Sequence, residues 1–210
     1  MLILCLVIAL IMTTGCAGGT AGDTDGSSDG TGNDPASEAG AGASVTEGTY
    51  SYETVEFSVP STDGAKKDIY GVFYIPKGAG DKLPTVIFSH GYGGTHRVGV
   101  PYAEALAGQG YAVYCFDFRG GSPESRSGGS TLEMSVFTEL EDLEQVIGAV
   151  EKQDFVDDEN LFLMGTSQGG AVSAMAGARH EDRIKGMVLL YPAFVLADRA
   201  VELFGTAENI

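Results

Sequence analysis

Cysteine and basic residues are scarce in this 210-residue chain, and both shortages exclude classes of function. Only three cysteines occur, Cys5, Cys16 and Cys115, and they form neither a disulfide framework nor a zinc pattern. Twelve Lys and Arg stand against 29 Asp and Glu, for a net charge of −17. Nucleic-acid-binding proteins present basic surfaces to phosphates, so this charge argues against a nucleic-acid partner. We expect no cofactor and no metal.

A membrane-spanning apolar run is also missing. The run "LILCLVIALIM" (residues 2–12) has 11 residues, whereas a span needs roughly 20. It fits the core of a secretory signal peptide, with a buried strand as an alternative. The following "TTGC" resembles a bacterial lipoprotein cleavage site, although Thr13 replaces the usual aliphatic residue and no Lys or Arg precedes Lys66. The resemblance implies a signal peptide over residues 1–16, a lipid on Cys16 and anchoring to the outer face of a bacterial cell membrane.

Residues 17–48 lack any apolar periodicity. They are rich in Gly, Ala, Ser, Thr and Asp, and contain six acidic residues but no basic one. Such a segment cannot bury enough surface to offset its ordering entropy. We therefore predict a flexible acidic linker ahead of a domain spanning residues 49–210.

Strand and helix patterns alternate through that domain. Strands are predicted at "YSYETVEFSVP", "KKDIYGVFYIP", "LPTVIFSH", "YAVYCFDFRG", "NLFLMG" and "IKGMVLLYP". Helices are predicted at "VPYAEALAGQG", "SVFTELEDLEQVIGAVEKQ", about 168–179, and "VLADRAVELFG". The second helix should bury one face made of Val136, Phe137, Leu140, Leu143, Ile147 and Val150. The alternation predicts an α/β fold with a mostly parallel, doubly wound sheet, whose first two strands form an antiparallel pair.

The segment "GTSQG" is a G-x-S-x-G motif between a predicted buried strand and a helix. In that context a strained turn presents a nucleophilic serine, here Ser167. Gly165 and Gly169 leave room around the turn, and the helix N-terminus offers N–H groups to a developing oxyanion. A plain strand-to-helix turn and a phosphate-binding turn are the alternatives.

A second glycine-rich loop, "SHGYGG" (residues 89–94), follows another predicted strand. Its backbone around Gly91 can turn towards the serine and supply a second oxyanion donor. The best candidates for the two donors are the N–H groups of Tyr92 and Gln168. We interpret His90, beside the strand end, as structural rather than as the catalytic base.

Four blocks, "FSHGYGG", "YCFDFRGG", "LFLMGTSQGG" and "VLLYPA", resemble the α/β-hydrolase family in content and order. Within it, the chain is similar to bacterial carboxylesterases that include feruloyl (cinnamoyl) esterases, over nearly all of residues 50–208. The resemblance implies acyl transfer on Ser167, with Tyr92 and Gln168 as backbone donors and a small-molecule ester as substrate. A serine peptidase of the same fold and a non-catalytic surface lipoprotein remain alternatives. Nothing in the sequence indicates the oligomeric state.

The partners of a catalytic serine are harder to find. The family order is nucleophile, acid, histidine, but only His180 follows Ser167. It lies 13 residues further along the same predicted helix, roughly 20 Å away at about 1.5 Å per residue. His96 lies on a loop near the site but precedes the serine, and Asp198 and Glu202 have no histidine after them.

The resemblance therefore implies about six of the eight strands usual in the family. The segment with the acid and the histidine would be missing, which predicts low or absent activity. The strand at 184–191 would become an open apolar edge of the sheet, a feature that promotes aggregation.

Overall fold

The computed structural model describes residues 48–62, 64 and 66–195, together with the backbone of residues 2–3. The strands within these residues are β1 (Leu2–Ile3), β2 (Tyr52–Val59), β3 (Ile69–Pro76), β4 (Leu83–Ser89), β5 (Ala112–Phe116), β6 (Val156–Thr166) and β7 (Ile184–Leu190). The helices are α1 (Val100–Gly108), α2 (Val136–Val150) and α3 (Ser167–Arg179), and a 3-10 helix spans His96–Gly99.

The strands form one sheet in the order β1-β7-β6-β4-β5-β3-β2. Strand β4 is parallel to its neighbours β5 and β6, and β7 is parallel to β6. At the other end, β3 is antiparallel to both β5 and β2. The parallel strands are joined through helices. This arrangement confirms the predicted α/β-hydrolase fold and the antiparallel pair formed by the first two predicted strands.

Neighbouring residues of the central strands supply two separate cores. Ile87 of β4 packs in the core formed with α2 and α3, whereas the next residue, Phe88, packs with Ala103 and Ala107 of α1. Successive side chains of a strand point to opposite faces. A strand covered on both faces therefore needs apolar residues at most positions, as "LPTVIFS" has.

Helix α2 begins with a capping box. The Ser135 hydroxyl accepts a hydrogen bond from the Thr138 N–H at 3.2 Å, and the Thr138 hydroxyl accepts one from the Ser135 N–H at 2.9 Å. These bonds satisfy two N–H groups that lack intrahelical acceptors, so the start of the helix is fixed by its own sequence.

The buried face of α2 differs from the prediction at one residue. Phe137 is 65% exposed, while Val146, which the prediction left out, is fully buried. Phe137 lies about 100° around the helix from Val136, so it falls outside the apolar stripe. The other predicted residues are partly or fully buried: Val136, Leu140, Leu143, Ile147 and Val150.

The outer edge of β7 is partly covered. Leu2 pairs in parallel with Gly186, and Ile3 with Met187. Of the edge at 184–191 that was expected to be open, β1 satisfies the backbone at those two positions, and no other described strand pairs with that side of β7. The six strands predicted for the domain are all present as β2–β7, and the two residues of β1 add a seventh strand to the sheet.

Several predictions concern residues outside those described. They are the signal peptide over residues 1–16 beyond the two residues of β1, the lipid site at Cys16, the linker at 17–48 apart from Gly48, and the last helix with Asp198 and Glu202. Within the described part of the chain, no helix is both long enough and apolar enough to cross a membrane.

Candidate active site

A sharp turn joins β6 to α3 at Ser167. The strand ends at Thr166 and the helix begins with the serine itself. Ser167 has a φ of +50°, in the left-handed region that residues other than glycine rarely adopt. Its side chain is half-buried. The strained turn predicted for "GTSQG" is therefore present.

The two motif glycines stand where no side chain fits. A Cβ atom on Gly169 would lie 2.2 Å from the carbonyl oxygen of His90, and one on Gly165 would lie 2.4 Å from the carbonyl oxygen of Gly169. Both distances are far below a van der Waals contact, and both neighbouring atoms belong to the backbone. The turn consequently packs directly against the end of β4.

The loop after β4 passes over the serine. Ser89 pairs with Gly165 across the two parallel strands, so the loop starts beside the turn. A Cβ atom on Gly91 would lie 3.1 Å from Cβ and 3.7 Å from Oγ of Ser167. The N–H of Gly94 donates to the carbonyl oxygen of Gly91 at 3.0 Å, which closes a tight turn at the tip of the loop.

Tyr92 and Gln168 carry the two N–H groups singled out from the sequence. Gln168 is the second residue of α3, and the first N–H groups of a helix have no intrahelical acceptor. Thr166 precedes the helix without capping it through its side chain. No described residue accepts a hydrogen bond from the N–H of Tyr92. The loop after β4 and the start of α3 therefore each have an N–H group available to a ligand.

The segment after β7 is bonded to the turn. The N–H of Ala193 donates to the carbonyl oxygen of Ser167 at 2.9 Å. A pocket of about 420 Å³ opens beside it, lined by apolar side chains that include Ala171, Met175, Ala193 and Phe194. An apolar cavity thus adjoins the turn.

His90 is a structural residue, as predicted. It is fully buried, and its Nε2 accepts a hydrogen bond from the Phe118 N–H at 3.1 Å. Its Nδ1, 2.8 Å from the carbonyl oxygen of Gly91, is then the protonated nitrogen and donates. Burial lowers the pKa of His90. Both ring nitrogens are occupied in holding the β4 loop.

His96 is bound to a buried acid. Its backbone N–H and its Nδ1 both donate to Oδ1 of Asp117, at 2.6 and 2.7 Å. The N–H of Arg126 donates to the other carboxylate oxygen at 2.9 Å. Burial alone would raise the pKa of Asp117, but these hydrogen bonds hold it below its usual value. The pair ties the loop after β4 to the segment after β5, so Asp117 of "FDFRG" has a structural role.

His180 lies at the far end of α3, where its N–H donates to the carbonyl oxygen of Ala176. Its Nε2 is 3.8 Å from the carboxylate of Glu144. All three histidines of the sequence thus fall within the described residues. None of them forms a hydrogen bond with Ser167.

Glu139 is a residue near the site that the sequence analysis missed. It lies on the buried face of α2 with no exposed surface, and its Oε2 accepts a hydrogen bond from the side-chain amide of Gln168 at 2.8 Å. Burial raises the pKa of Glu139 to about 7, with a smaller contribution from Asp142. A signal was available, because a glutamate stood inside an otherwise apolar helical stripe.

Arg119 and Asp142 form a buried ion pair next to it. The Nε of Arg119 donates to Oδ1 at 2.7 Å, and the backbone N–H of Arg119 donates to Oδ2 at 2.8 Å. Burial raises the pKa of Asp142, against the hydrogen bonds from Arg119 that lower it. The pair connects α2 to the chain just beyond β5. Among the described residues, no group of three or more His, Cys, Asp or Glu is placed to hold a metal ion.

Comparison with known proteins identifies relatives of the chain. Residues 80–208 match the model of a family described as serine aminopeptidase, S33. An Escherichia coli protein, described as an uncharacterized 31.7 kDa protein in the traX-finO intergenic region, is 34% identical over 117 residues. That match covers 55% of this chain and 39% of the relative.

Two solved esterase structures are also similar. Est1E from Butyrivibrio proteoclasticus, with bound ferulic acid, is 29% identical with a TM-score of 0.61, and the match covers 71% of this chain and 59% of that one. A hyperthermophilic esterase from the archaeon Pyrobaculum calidifontis is 25% identical with a TM-score of 0.55, over 71% and 46% of the two chains. The chain therefore spans less than two thirds of each of these relatives.

Proposed function

Because this chain belongs to the serine aminopeptidase S33 family of α/β-hydrolases, we propose that it is a serine hydrolase that cleaves carboxylic esters through an acyl-enzyme on Ser167. One observation carries the proposal: a left-handed serine at a strand-to-helix turn, directly beneath the backbone of Gly91. A plain turn has no need of a strained, half-exposed serine, because glycine would adopt the same conformation at lower cost.

The proposed reaction has two steps. In the first, Oγ of Ser167 bonds to the ester carbonyl carbon, and the carbonyl oxygen becomes an oxyanion. The free N–H groups of Tyr92 and Gln168 flank the serine and would donate to that oxyanion. The oxyanion then re-forms the carbonyl as the bond to the alcohol oxygen breaks, and the alcohol leaves with a proton from solvent while the acyl group stays on Oγ. In the second step water adds to the acyl carbon, the bond to Oγ breaks, and the acid and the free Ser167 hydroxyl are released. Fixed donors of this kind act most strongly on the charge that develops during reaction.

Turnover should be slow in this chain. The proton of the Ser167 hydroxyl must pass to a base, but His90, His96 and His180 are each held elsewhere. We propose that the proton passes to solvent or buffer. In a serine protease without its triad, the oxyanion hole and substrate binding alone retain about 10³–10⁴ over water. This chain should therefore acylate slowly rather than act as an efficient catalyst.

The proposed substrate is a small ester with an apolar or aromatic acyl group. Two observations support this class. The Est1E structure contains ferulic acid, a phenolic acid, and an apolar pocket lies along α3 about one helical turn beyond Ser167, where Ala171 and Phe194 line it. The family description favours a second candidate, a peptidase, because peptide hydrolysis uses the same turn and oxyanion donors.

Mass spectrometry of the acylated protein tests the proposal without requiring turnover. The 210-residue chain is incubated with p-nitrophenyl acetate and digested, and the peptide containing Ser167 is examined for one added acetyl group. We expect acetylation at Ser167 that is lost in Ser167→Ala and retained in Ser51→Ala, a control at an exposed serine. Acetylation spread evenly over exposed serines would contradict the proposal and favour a non-catalytic protein.

Competition separates the two substrate classes. Methyl ferulate and an aminoacyl p-nitroanilide are each added as competitors during acetylation. Protection of Ser167 by the ester alone supports the esterase, and protection by the anilide alone supports the peptidase.

We further propose that Cys16 carries a lipid anchor, because "TTGC" resembles a bacterial lipoprotein cleavage site. Metabolic labelling with a fatty acid in a bacterial host tests this proposal. Label should enter the chain and be absent from Cys16→Ala. Label that persists in that variant would contradict it.

A further inference from the structure

The carboxyl group of Glu139 is only half satisfied. Its Oε2 accepts from Nε2 of Gln168 at 2.8 Å, but its Oε1 is buried and has no hydrogen-bond partner among the described residues. A buried acid costs stability unless both oxygens are satisfied. Glutamate at this position therefore needs an explanation other than stability.

We propose that Glu139 is a positioning residue for the Ser167 turn: by holding the side chain of Gln168, it fixes the backbone N–H of the residue that follows the serine. This inference rests on the proposed function, in which that N–H stabilises the oxyanion. Glu139 acts through Gln168 and touches no substrate atom.

The first turn of α3 needs such an anchor because it has no side-chain cap. The hydroxyl of Thr166 does not bond to the N–H groups of this turn, which leaves them free for a ligand. A capping side chain would stabilise the turn but would occupy one of those donors. The contact with Glu139 instead holds the turn through a side chain, so the backbone N–H stays free.

The side chain of Gln168 is held from one direction. Its Nε2 donates to Glu139 of α2, and it also lies 3.3 Å from Sδ of Met134, a residue just before the start of α2. Gln168 is 8% exposed, so solvent contributes little to holding it. If Glu139 no longer accepts this bond, the amide loses its strongest partner and Gln168 can rotate.

The strength of the contact should depend on pH. Burial raises the pKa of Glu139 to about 7. The charged groups near it are Asp142, on the same helix, and Arg119, which is paired with Asp142. Above the pKa the carboxylate is ionised and accepts more strongly, because hydrogen bonds to a charged acceptor are stronger than neutral ones. Gln168 should therefore be held more firmly at alkaline pH.

NMR spectroscopy tests the positioning role directly. The full chain contains only four glutamines, at positions 109, 145, 153 and 168, so selective ¹⁵N-glutamine labelling gives a simple spectrum. The signals of Gln168 are those missing in Gln168→Met. We expect its side-chain and backbone signals to titrate together near pH 7. This shared titration should disappear in Glu139→Gln and persist in Glu141→Gln, a control at an exposed acid of the same helix.

Acylation supplies the functional readout. Glu139→Gln retains only a neutral acceptor for Gln168, so acetylation of Ser167 should lose its step near pH 7 and, above that pH, should be slower than in the unmodified chain, whose carboxylate is then charged. Glu139→Ala removes the acceptor and should slow acetylation roughly tenfold. This loss is smaller than the rate reduction of about 10²–10³-fold that follows removal of a whole oxyanion donor. If Glu139 affected only stability, its variants would change the free energy of unfolding but leave the rate of Ser167 acetylation and its pH profile unchanged.

The outcomes separate the two proposals. If the unmodified chain never acetylates Ser167, the proposed function fails, and the NMR titration still decides whether Glu139 positions Gln168. A backbone signal of Gln168 that does not titrate, or that titrates equally in Glu139→Gln, overturns the positioning role. If Glu139→Ala does not fold, the NMR titrations of Glu139→Gln and Glu141→Gln still decide whether Glu139 positions Gln168.

Discussion

The Nε2 of His90 accepts a hydrogen bond from the backbone N–H of Phe118 at 3.1 Å, so the residue after β4 fastens the segment after β5. An acceptor nitrogen requires the neutral imidazole, and burial correspondingly lowers the pKa of His90. The stabilisation from the neutral ring is fully present above the unfolded pKa of about 6.5. It is lost as the pH falls from there through the lower folded value.

The first prediction is therefore a difference in pH dependence. Between pH 7.5 and pH 5.5, the unmodified chain should lose more free energy of unfolding than His90→Gln, which cannot be protonated. Urea unfolding at several pH values measures both. Profiles that stay parallel would show that protonation of His90 does not oppose folding.

The second prediction concerns the clearance around Gly169. Gly169→Ala should disrupt the turn, because its Cβ atom would lie 2.2 Å from the carbonyl oxygen of His90. Gly148→Ala is the matched control, since nothing lies within 4 Å of a Cβ atom there. It should stabilise α2 by about 0.5–1 kcal/mol. Thermal unfolding compares the two, and equal melting temperatures would contradict the packing described.

The third prediction separates backbone strain from chemistry at Ser167. Ser167→Gly and Ser167→Ala should both abolish acetylation at this position. Only the glycine variant should gain stability, by about 1 kcal/mol, because it adopts a φ of +50° without steric cost. Urea unfolding gives the two free energies. A glycine variant less stable than the alanine variant would argue against a strained turn.

The fourth prediction concerns the buried ion pair. Asp142→Ala leaves the charge of Arg119 buried without its carboxylate, which should cost about 3–5 kcal/mol of stability. Replacing both residues, Arg119→Met with Asp142→Leu, should restore much of that loss. Because the backbone N–H of Arg119 also loses its acceptor, recovery should be incomplete. A double variant as unstable as Asp142→Ala would refute this explanation.

The fifth prediction is that Glu139 destabilises the fold at alkaline pH. Its folded pKa of about 7 exceeds the usual value of 4.5, so the folded state holds the proton more tightly than the unfolded state. Stability should fall as the pH rises through that window. Glu139→Gln should therefore exceed the unmodified chain in stability at pH 8 by up to about 3 kcal/mol. At pH 4 the gap should be small, and urea unfolding at both pH values checks it.

The order of strands and helices was predictable because the local pattern determines it. Continuous apolar runs such as "LPTVIFS" indicate strands covered on both faces. The glycines of "GTSQG" mark a turn where no side chain fits. Spacing along one helix was also enough to show that His180 could not reach Ser167.

Contacts between distant segments were not predictable. The bond from Gln168 to Glu139 depends on how α2 packs against α3, and the pairing of β1 with β7 joins the two ends of the described chain. Phe137 was assigned to the buried face because its spacing to Leu140 fits a helix. The way α2 packs against the sheet leaves Phe137 exposed instead. His96 likewise gave no sign in the sequence that its partner would be Asp117.

The pairing of Ser89 with Gly165 also has a consequence for how the chain folds. These neighbours in the sheet are separated by two helices and a strand, and such non-local parallel pairings form slowly because loop-closure entropy opposes them. The "SHGYGG" loop therefore cannot reach Ser167 until β4 has paired with β6. Folding kinetics, rather than local sequence, would set the time at which this serine first acquires its surroundings.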